Sequence, residues 1–146
     1  TISALCGDRM IIGIGTDLVK ISRIEKAGRD HPGFLERVFT QKEREYCNRQ
    51  KFPAQHYAAR FASKEAVLKA FGTGLSAGMK WTDIEVLHGV GGGPIVNISG
   101  VAKDLADLKG VMQIMLSYSH DEGYAVAHAV LIGGARYGAT EVHHEA

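Results

Sequence analysis

Glu65 and Lys69 lie four positions apart in the run Arg60-Phe61-Ala62-Ser63-Lys64-Glu65-Ala66-Val67-Leu68-Lys69-Ala70-Phe71-Gly72-Thr73-Gly74. A helix turns about 100° per residue, so both would point to one side, together with Ala58 and Ala62. Alanines beside a charged pair leave room for something larger than a side chain, and a glycine-flanked turn follows at once. A carboxylate for a cation, a lysine for an anion and an open turn suit a site that holds a metal and a phosphate. The competing reading is a surface ion pair. Glu followed by Lys at i,i+4 stabilises a helix by only about 0.3–0.5 kcal/mol and needs no ligand.

A second carboxylate stands in an unusual place. Asp17 ends the run Met10-Ile11-Ile12-Gly13-Ile14-Gly15-Thr16-Asp17. The apolar stretch is short and β-branched, which predicts a buried strand, and its two glycines suggest close backbone approach or a bend. An Asp in that position either caps the following helix or binds a ligand. The Gly-x-Gly lacks the third glycine of a dinucleotide fingerprint, so no Rossmann motif is read here.

Taken in order, Gly13-Ile14-Gly15-Thr16-Asp17, Phe61-Ala62-Ser63-Lys64-Glu65-Ala66-Val67-Leu68-Lys69-Ala70, Gly72-Thr73-Gly74 and Leu116-Ser117-Tyr118-Ser119-His120 resemble the holo-acyl-carrier-protein synthases, short members of the phosphopantetheinyl transferase superfamily. The likeness runs from Met10 to about Gly133. It implies a Mg²⁺-dependent transfer of 4′-phosphopantetheine from coenzyme A to a serine of an apo acyl carrier protein of the kind used in fatty acid biosynthesis, releasing 3′,5′-ADP. It matches Asp17 and Glu65 to the Mg²⁺ carboxylates and Lys69 to the lysine near the transferring phosphate. Gly72, Thr73 and Gly74 would lie against coenzyme phosphates, and His120 matches the histidine that contacts the coenzyme. Arg23 matches a basic residue that meets the acidic carrier, and Lys26 would join it. The resemblance further implies a homotrimer with active sites between subunits, Asp17 and Glu65 coming from one chain.

The residue types make chemical sense of that reaction. Mg²⁺ takes hard oxygen ligands and commonly one or two carboxylates, leaving positions for water and substrate phosphates. It would bridge the pyrophosphate and offset developing charge, with Lys69 as a compact point charge. The residues do not select a general base: Asp17, Glu65 or a metal-bound water are all open.

Other features carry less. Gly72 is also explained as a helix C-cap. The stretch Gly89-Val90-Gly91-Gly92-Gly93-Pro94 has no Lys-Ser/Thr and reads as a hairpin connection, not a P-loop. His128 falls in the alternating strand Tyr124–Ile132, on a face with Val126 and Val130, and reads as structural; His143 and His144 lie in a polar tail.

Composition bounds the class. The chain has 146 residues and a net charge of +1, which predicts one domain with a real core and no bulk nucleic-acid binding. Lys20, Arg23, Lys26 and Arg29 recur at spacing three, giving either a solvated basic face or one that steers an acidic partner. Cys6 and Cys47 form no metal or disulfide pattern. No run reaches the length of a membrane span, and a reducing, cytoplasmic setting is expected.

The expected layout is a strand Met10–Gly15, helices Leu18–Gly28, Gln41–Arg49 and Pro53–Phe71, strands Asp83–Leu87 and Ile95–Ile98, a helix opened by Ser99 and ending near Lys109, and a hairpin of Met112–Ser119 with Tyr124–Ile132. Thr40-Gln41-Lys42-Glu43 has the pattern of a capping box. Early helices and late antiparallel hairpins predict an α+β fold, helices on an antiparallel sheet. Residues 10–133 are expected to form the single domain, with 1–9 an extension and 134–146 a loose tail. Two other readings stand beside the transferase: a metal-dependent pyrophosphatase acting on nucleotides, and a non-catalytic binding module whose acids are structural.

Overall fold

The computed structural model describes residues 9–75 and 78–134; Cys6, His143, His144 and the tail beyond Gly134 lie outside them. The chain forms strand β1 (Arg9–Lys20), helices α1 (Ile21–Asp30), α2 (Phe34–Val38), α3 (Gln41–Asn48) and α4 (Pro53–Phe71), and a 3₁₀ turn at Trp81–Asp83. Strands β2 (Ile84–His88) and β3 (Pro94–Ile98), helix α5 (Gly100–Lys109), and strands β4 (Val111–Asp121) and β5 (Tyr124–Gly134) complete it. β1, β5 and β4 make one antiparallel sheet in that order, and β2 with β3 a separate hairpin. The α+β expectation holds.

The first expected boundary moves. The strand does not stop at Gly15 with a helix at Leu18: pairing continues through Asp17↔Ala127 to Lys20↔Tyr124, and the Ile21 amide donates to the Gly123 carbonyl at 2.9 Å. The long partner strand supplies ladder bonds that local helix propensity cannot match, so α1 starts only at Ile21. Asp17 is therefore a mid-strand residue, and Lys20 belongs to β1 instead of the helical stripe. The Glu122-Gly123 turn has positive φ at both residues, 51° and 82°, the geometry that lets two strands close directly. Helix α2 and the 3₁₀ turn were not foreseen; both are too short to show periodicity.

Elsewhere the local signals are met. Thr40 Oγ1 accepts from the Glu43 amide while Glu43 Oε1 accepts from the Thr40 amide, a complete capping box on α3. Pro53 opens α4 and Gly72, at φ 82°, closes it, as the missing proline N–H and the glycine freedom allow.

α4 is the centre of the molecule. It lies on the inner face of the three-stranded sheet, whose inward residues alternate strictly: Gly15, Asp17 and Val19 on β1, and Ala125, Ala127, Ala129 and Leu131 on β5. The side chains at the contact are small because the backbones nearly touch. A Cβ on Gly15 would sit 1.9 Å from the Ala66 carbonyl oxygen, and one on Gly13 would sit 2.2 Å from that of Ala70. Ala58 and Ala62 are fully buried. The space they were expected to leave beside Glu65 is filled by core packing, which corrects that reading.

A buried ion pair ties α4 to the rest. Lys64 and Glu43 are both 0% exposed, with Nζ and Oε1 2.8 Å apart. Lys64 also donates to the carbonyls of Trp81 (3.2 Å) and Ile84 (2.5 Å), and Glu43 Oε2 accepts from the Val86 amide at 2.9 Å. One carboxylate thus fixes the start of α3, the middle of α4 and β2.

Candidate active site

Because α4 sits so close to β1, Asp17 and the last turns of α4 share one edge of the molecule. Lys69 Nζ donates to Asp17 Oδ1 and to the Thr16 carbonyl, each at 3.0 Å. Lys69 is 53% exposed and Asp17 15%, so the pair lies at a surface cleft. The i,i+4 partnership expected for a surface helix is replaced here by a bond to Asp17, across 52 residues of sequence.

Glu65 is half-buried beside them. Burial raises its carboxyl above the ordinary value, and the Asp17 charge adds to this, while Lys69 and Arg23 act in the opposite direction. A carboxylate whose ionisation is opposed by a neighbouring acid, at a site open to solvent, is suited to a cation. Among the described residues no group of three or more His, Cys, Asp or Glu is arranged to hold a metal ion. The protein's share of a coordination shell would be these two carboxylates, which is the share Mg²⁺ usually takes.

The turn that follows leaves open ground. Gly72 and Gly74 have φ of 82° and 62°, and a Cβ on either would meet nothing within 4 Å among the described residues. The Gly72 amide is used by the helix itself, bonding to the Leu68 and Lys69 carbonyls. Thr73 Oγ1 donates to the Gly74 carbonyl at 3.2 Å. Arg23 and Lys26 are exposed on α1, and of the two it is Arg23 whose charge acts on Glu65.

His120 is not brought to this edge. It lies on the inner face of β4 opposite Ala125, and β5 separates β4 from β1, roughly 10 Å across two strand spacings. It joins a second cluster on the other flank of α4 that the sequence reading missed. At its heart is Arg60, fully buried, whose Nε and both terminal nitrogens find no well-oriented hydrogen-bond partner among the described residues, the Tyr118 hydroxyl being only a loosely placed neighbour. The guanidinium lies 4.3 Å from the Tyr46 ring centroid, a cation–π contact. His88 tilts onto the same ring at 4.8 Å, and His56 meets its edge at 5.8 Å. His56 is held below its ordinary pKa by burial first, then by Arg60, His120 and His88. A buried cation with no counter-charge among the described residues is costly and suits an anion. An arginine within an otherwise small and apolar helix stretch was the one available signal.

His128, read as structural, is exposed on the outer sheet face, with Nδ1 2.9 Å from Thr16 Oγ1. That face carries large apolar side chains that nothing among the described residues covers: Ile14 is 71%, Leu18 62% and Met115 52% exposed. Cys47 is buried and free, its thiol pushed up to about 11 chiefly by burial. No helix among the described residues is long and apolar enough to cross a membrane.

Comparison with known proteins agrees with this architecture. The sequence profile of the 4′-phosphopantetheinyl transferase superfamily matches residues 13–129. The holo-acyl-carrier-protein synthase of Thermoanaerobacter sp. (strain X514) is 46% identical over 127 residues, covering 87% of this chain and 91% of that one. Among solved structures, the synthase of Neisseria meningitidis superposes with a TM-score of 0.76 at 31% identity, over 84% of this chain and 98% of that one. The synthase of Helicobacter pylori, crystallised in complex with coenzyme A, gives 0.70 at 33% identity, over 81% and 98%. The chain belongs to the holo-acyl-carrier-protein synthases, enzymes of the 4′-phosphopantetheinyl transferase superfamily.

Proposed function

We propose that this synthase transfers 4′-phosphopantetheine from coenzyme A to a serine hydroxyl of an apo acyl carrier protein, with Mg²⁺ held by Asp17 and Glu65. The serine oxygen forms a bond to the phosphorus that carries the pantetheine arm. The bridging P–O bond breaks, 3′,5′-ADP leaves, and the serine proton passes to a neighbouring carboxylate or water. The observation that carries this reading is the convergence of Asp17, Glu65 and Lys69 from two elements at one solvent-facing edge.

Bound Mg²⁺ would supply charge neutralisation on the pyrophosphate. The chain's own residues do the rest. Lys69, released from Asp17 as phosphates arrive, places its charge on the transferring group. Gly72, Thr73 and Gly74 give the phosphates an approach unobstructed by larger side chains. Arg23 and Lys26 face the carrier, whose acidic surface they orient.

The donor needs both flanks of α4, and one protomer does not bring them together. The second cluster, Arg60 with His120, would receive the anionic far end of a coenzyme whose pyrophosphate lies at Asp17 and Glu65 of a neighbouring copy. Contacts of that kind run head to tail, and closed rings are how such interfaces finish. The apolar outer sheet face, with Ile14, Leu18 and Met115 exposed, is the surface such a ring would cover. We take the ring to be a homotrimer, with residues 10–133 as its catalytic domain, working in the cytoplasm with carriers of fatty acid biosynthesis.

The test is the intact mass of an apo acyl carrier protein after incubation with the synthase, coenzyme A and Mg²⁺, beside samples with EDTA or no synthase. A Mg²⁺-dependent gain of one phosphopantetheine is expected. Coenzyme A cleaved with no change in the carrier would point to the pyrophosphatase; binding without turnover would point to the binding module.

A further inference from the structure

The Arg60 cluster holds a hydrogen-bond relay that the proposed reaction does not use. His88, the exposed last residue of β2, has Nδ1 3.1 Å from the Gly92 carbonyl oxygen and Nε2 3.2 Å from Tyr118 Oη. A carbonyl can only accept, so Nδ1 carries the proton, and Nε2 of a neutral ring accepts from the Tyr118 hydroxyl. With a neutral ring the Tyr118 proton is thereby turned toward His88, while Arg60 acts on the same hydroxyl as a charge and as a loosely placed hydrogen-bond neighbour. Burial holds the phenol above its ordinary pKa, so it remains an O–H donor.

A proton added at Nε2 reverses the bond. Nε2–H then donates to the Tyr118 oxygen, and the hydroxyl proton is freed to turn toward an anion beside Arg60. One proton taken from solvent gives the site one more positive charge and one more donor. Resting on the reading that coenzyme A is bound here, we propose that His88 and Tyr118 form a proton-coupled clamp: arrival of the donor's phosphate protonates His88 and redirects the Tyr118 hydroxyl onto it.

The surroundings fit this coupling. On α4, Arg60 and His56 face the cluster; on β4, Tyr118 and His120; on α3, Tyr46 and the thiol of Cys47, which burial keeps protonated. Arg60 is the fixed cation of this cluster, and its charge acts on both His56 and the Tyr118 hydroxyl. Glu85, on the same strand as His88, is engaged by the Thr40 hydroxyl at 2.6 Å. A phosphate seated beside Arg60 would favour the added proton, since an opposite charge nearby favours the charged form.

Calorimetric titration of the full-length assembled protein with coenzyme A and Mg²⁺, without carrier, tests the clamp. Titrations at one pH in buffers of different ionisation enthalpy give the protons taken up on binding. The wild-type protein is expected to take up most of a proton more than His88→Gln, and its dissociation constant to fall about fivefold more between pH 8 and pH 7, a fully linked proton giving tenfold. Ionisation of the coenzyme's own phosphates is common to both proteins and cancels in the difference. Equal proton uptake in wild type and His88→Gln overturns the clamp while leaving the donor site intact. Absence of coenzyme A binding in the wild type overturns the donor-site reading as well, so the two failures are told apart.

Discussion

A methyl group at Gly15 tests whether the close approach of α4 to β1 is what assembles the reactive edge. The added Cβ would lie 1.9 Å from the Ala66 carbonyl oxygen and 2.7 Å from the Ala70 amide nitrogen. Carbon and oxygen rest no nearer than about 3.3 Å, so helix and strand must separate by roughly 1.4 Å. Both neighbours are backbone and cannot rotate away. Overpacking a filled core costs about 1–3 kcal/mol, and two rigid elements place Gly15→Ala at the upper end; about 3 kcal/mol corresponds to a fall in Tm of roughly 6–12 °C. The same shift carries Glu65, the residue before Ala66, away from Asp17. A displacement near 1 Å at a reacting centre lowers rates by about 100-fold. Thermal melts by circular dichroism and transfer rates by intact mass, measured well below the variant's Tm, give both quantities. Gly28→Ala is the control: its Cβ would meet only the Leu35 side chain, at 3.3 Å, so Tm should hold or rise slightly. A Gly15→Ala protein with the wild-type Tm and rate would refute the packing argument.

Three further outcomes are expected. Glu43→Ala leaves the Lys64 amine buried without its carboxylate and removes the acceptor of the Val86 amide; breaking such a pair costs about 3–5 kcal/mol, read as a lower denaturant midpoint, and a loss under about 1 kcal/mol would contradict the role given to the pair. A carboxyl raised on folding, as Glu65 is, binds more protons folded than unfolded, so stability falls as pH rises from the ordinary carboxyl value through the folded one, and the full penalty is present above it. Glu65→Gln should therefore melt above the wild type in EDTA at pH 7 yet lose transfer, and Mg²⁺ should raise the wild-type Tm alone; an equal Mg²⁺ response in both proteins would remove Glu65 from the metal site. Lys26→Glu, chosen over Arg23 because the latter's charge also reaches Glu65, should raise KM for the carrier about tenfold at low salt, less at high salt, with KM for coenzyme A unchanged; an unaltered carrier KM would take Lys26 out of the docking face.

The sequence by itself determined what short-range chemistry can encode. The capping box at Thr40 and Glu43, the bounds of α4 set by Pro53 and Gly72, and the late hairpins follow from residue type and spacing, because a cap or a turn involves neighbours along the chain. Asp17, Glu65 and Lys69 were selected from a family pattern, since the local geometry of Glu65 and Lys69 alone favoured a bland surface pair. Tertiary structure decided what those residues touch. Pairing with the long β5 kept Asp17 in a strand and delayed α1 to Ile21. The glycine approach at Gly13 and Gly15 turned Ala58 and Ala62 into closed core and brought Lys69 to Asp17. Helix periodicity told which residues share a face, but not which face is covered, and so it passed over Arg60, whose meaning lies in the absence of a partner. Spacing is written in the chain, whereas burial and the lack of a counter-charge arise only when elements distant in sequence pack against one another.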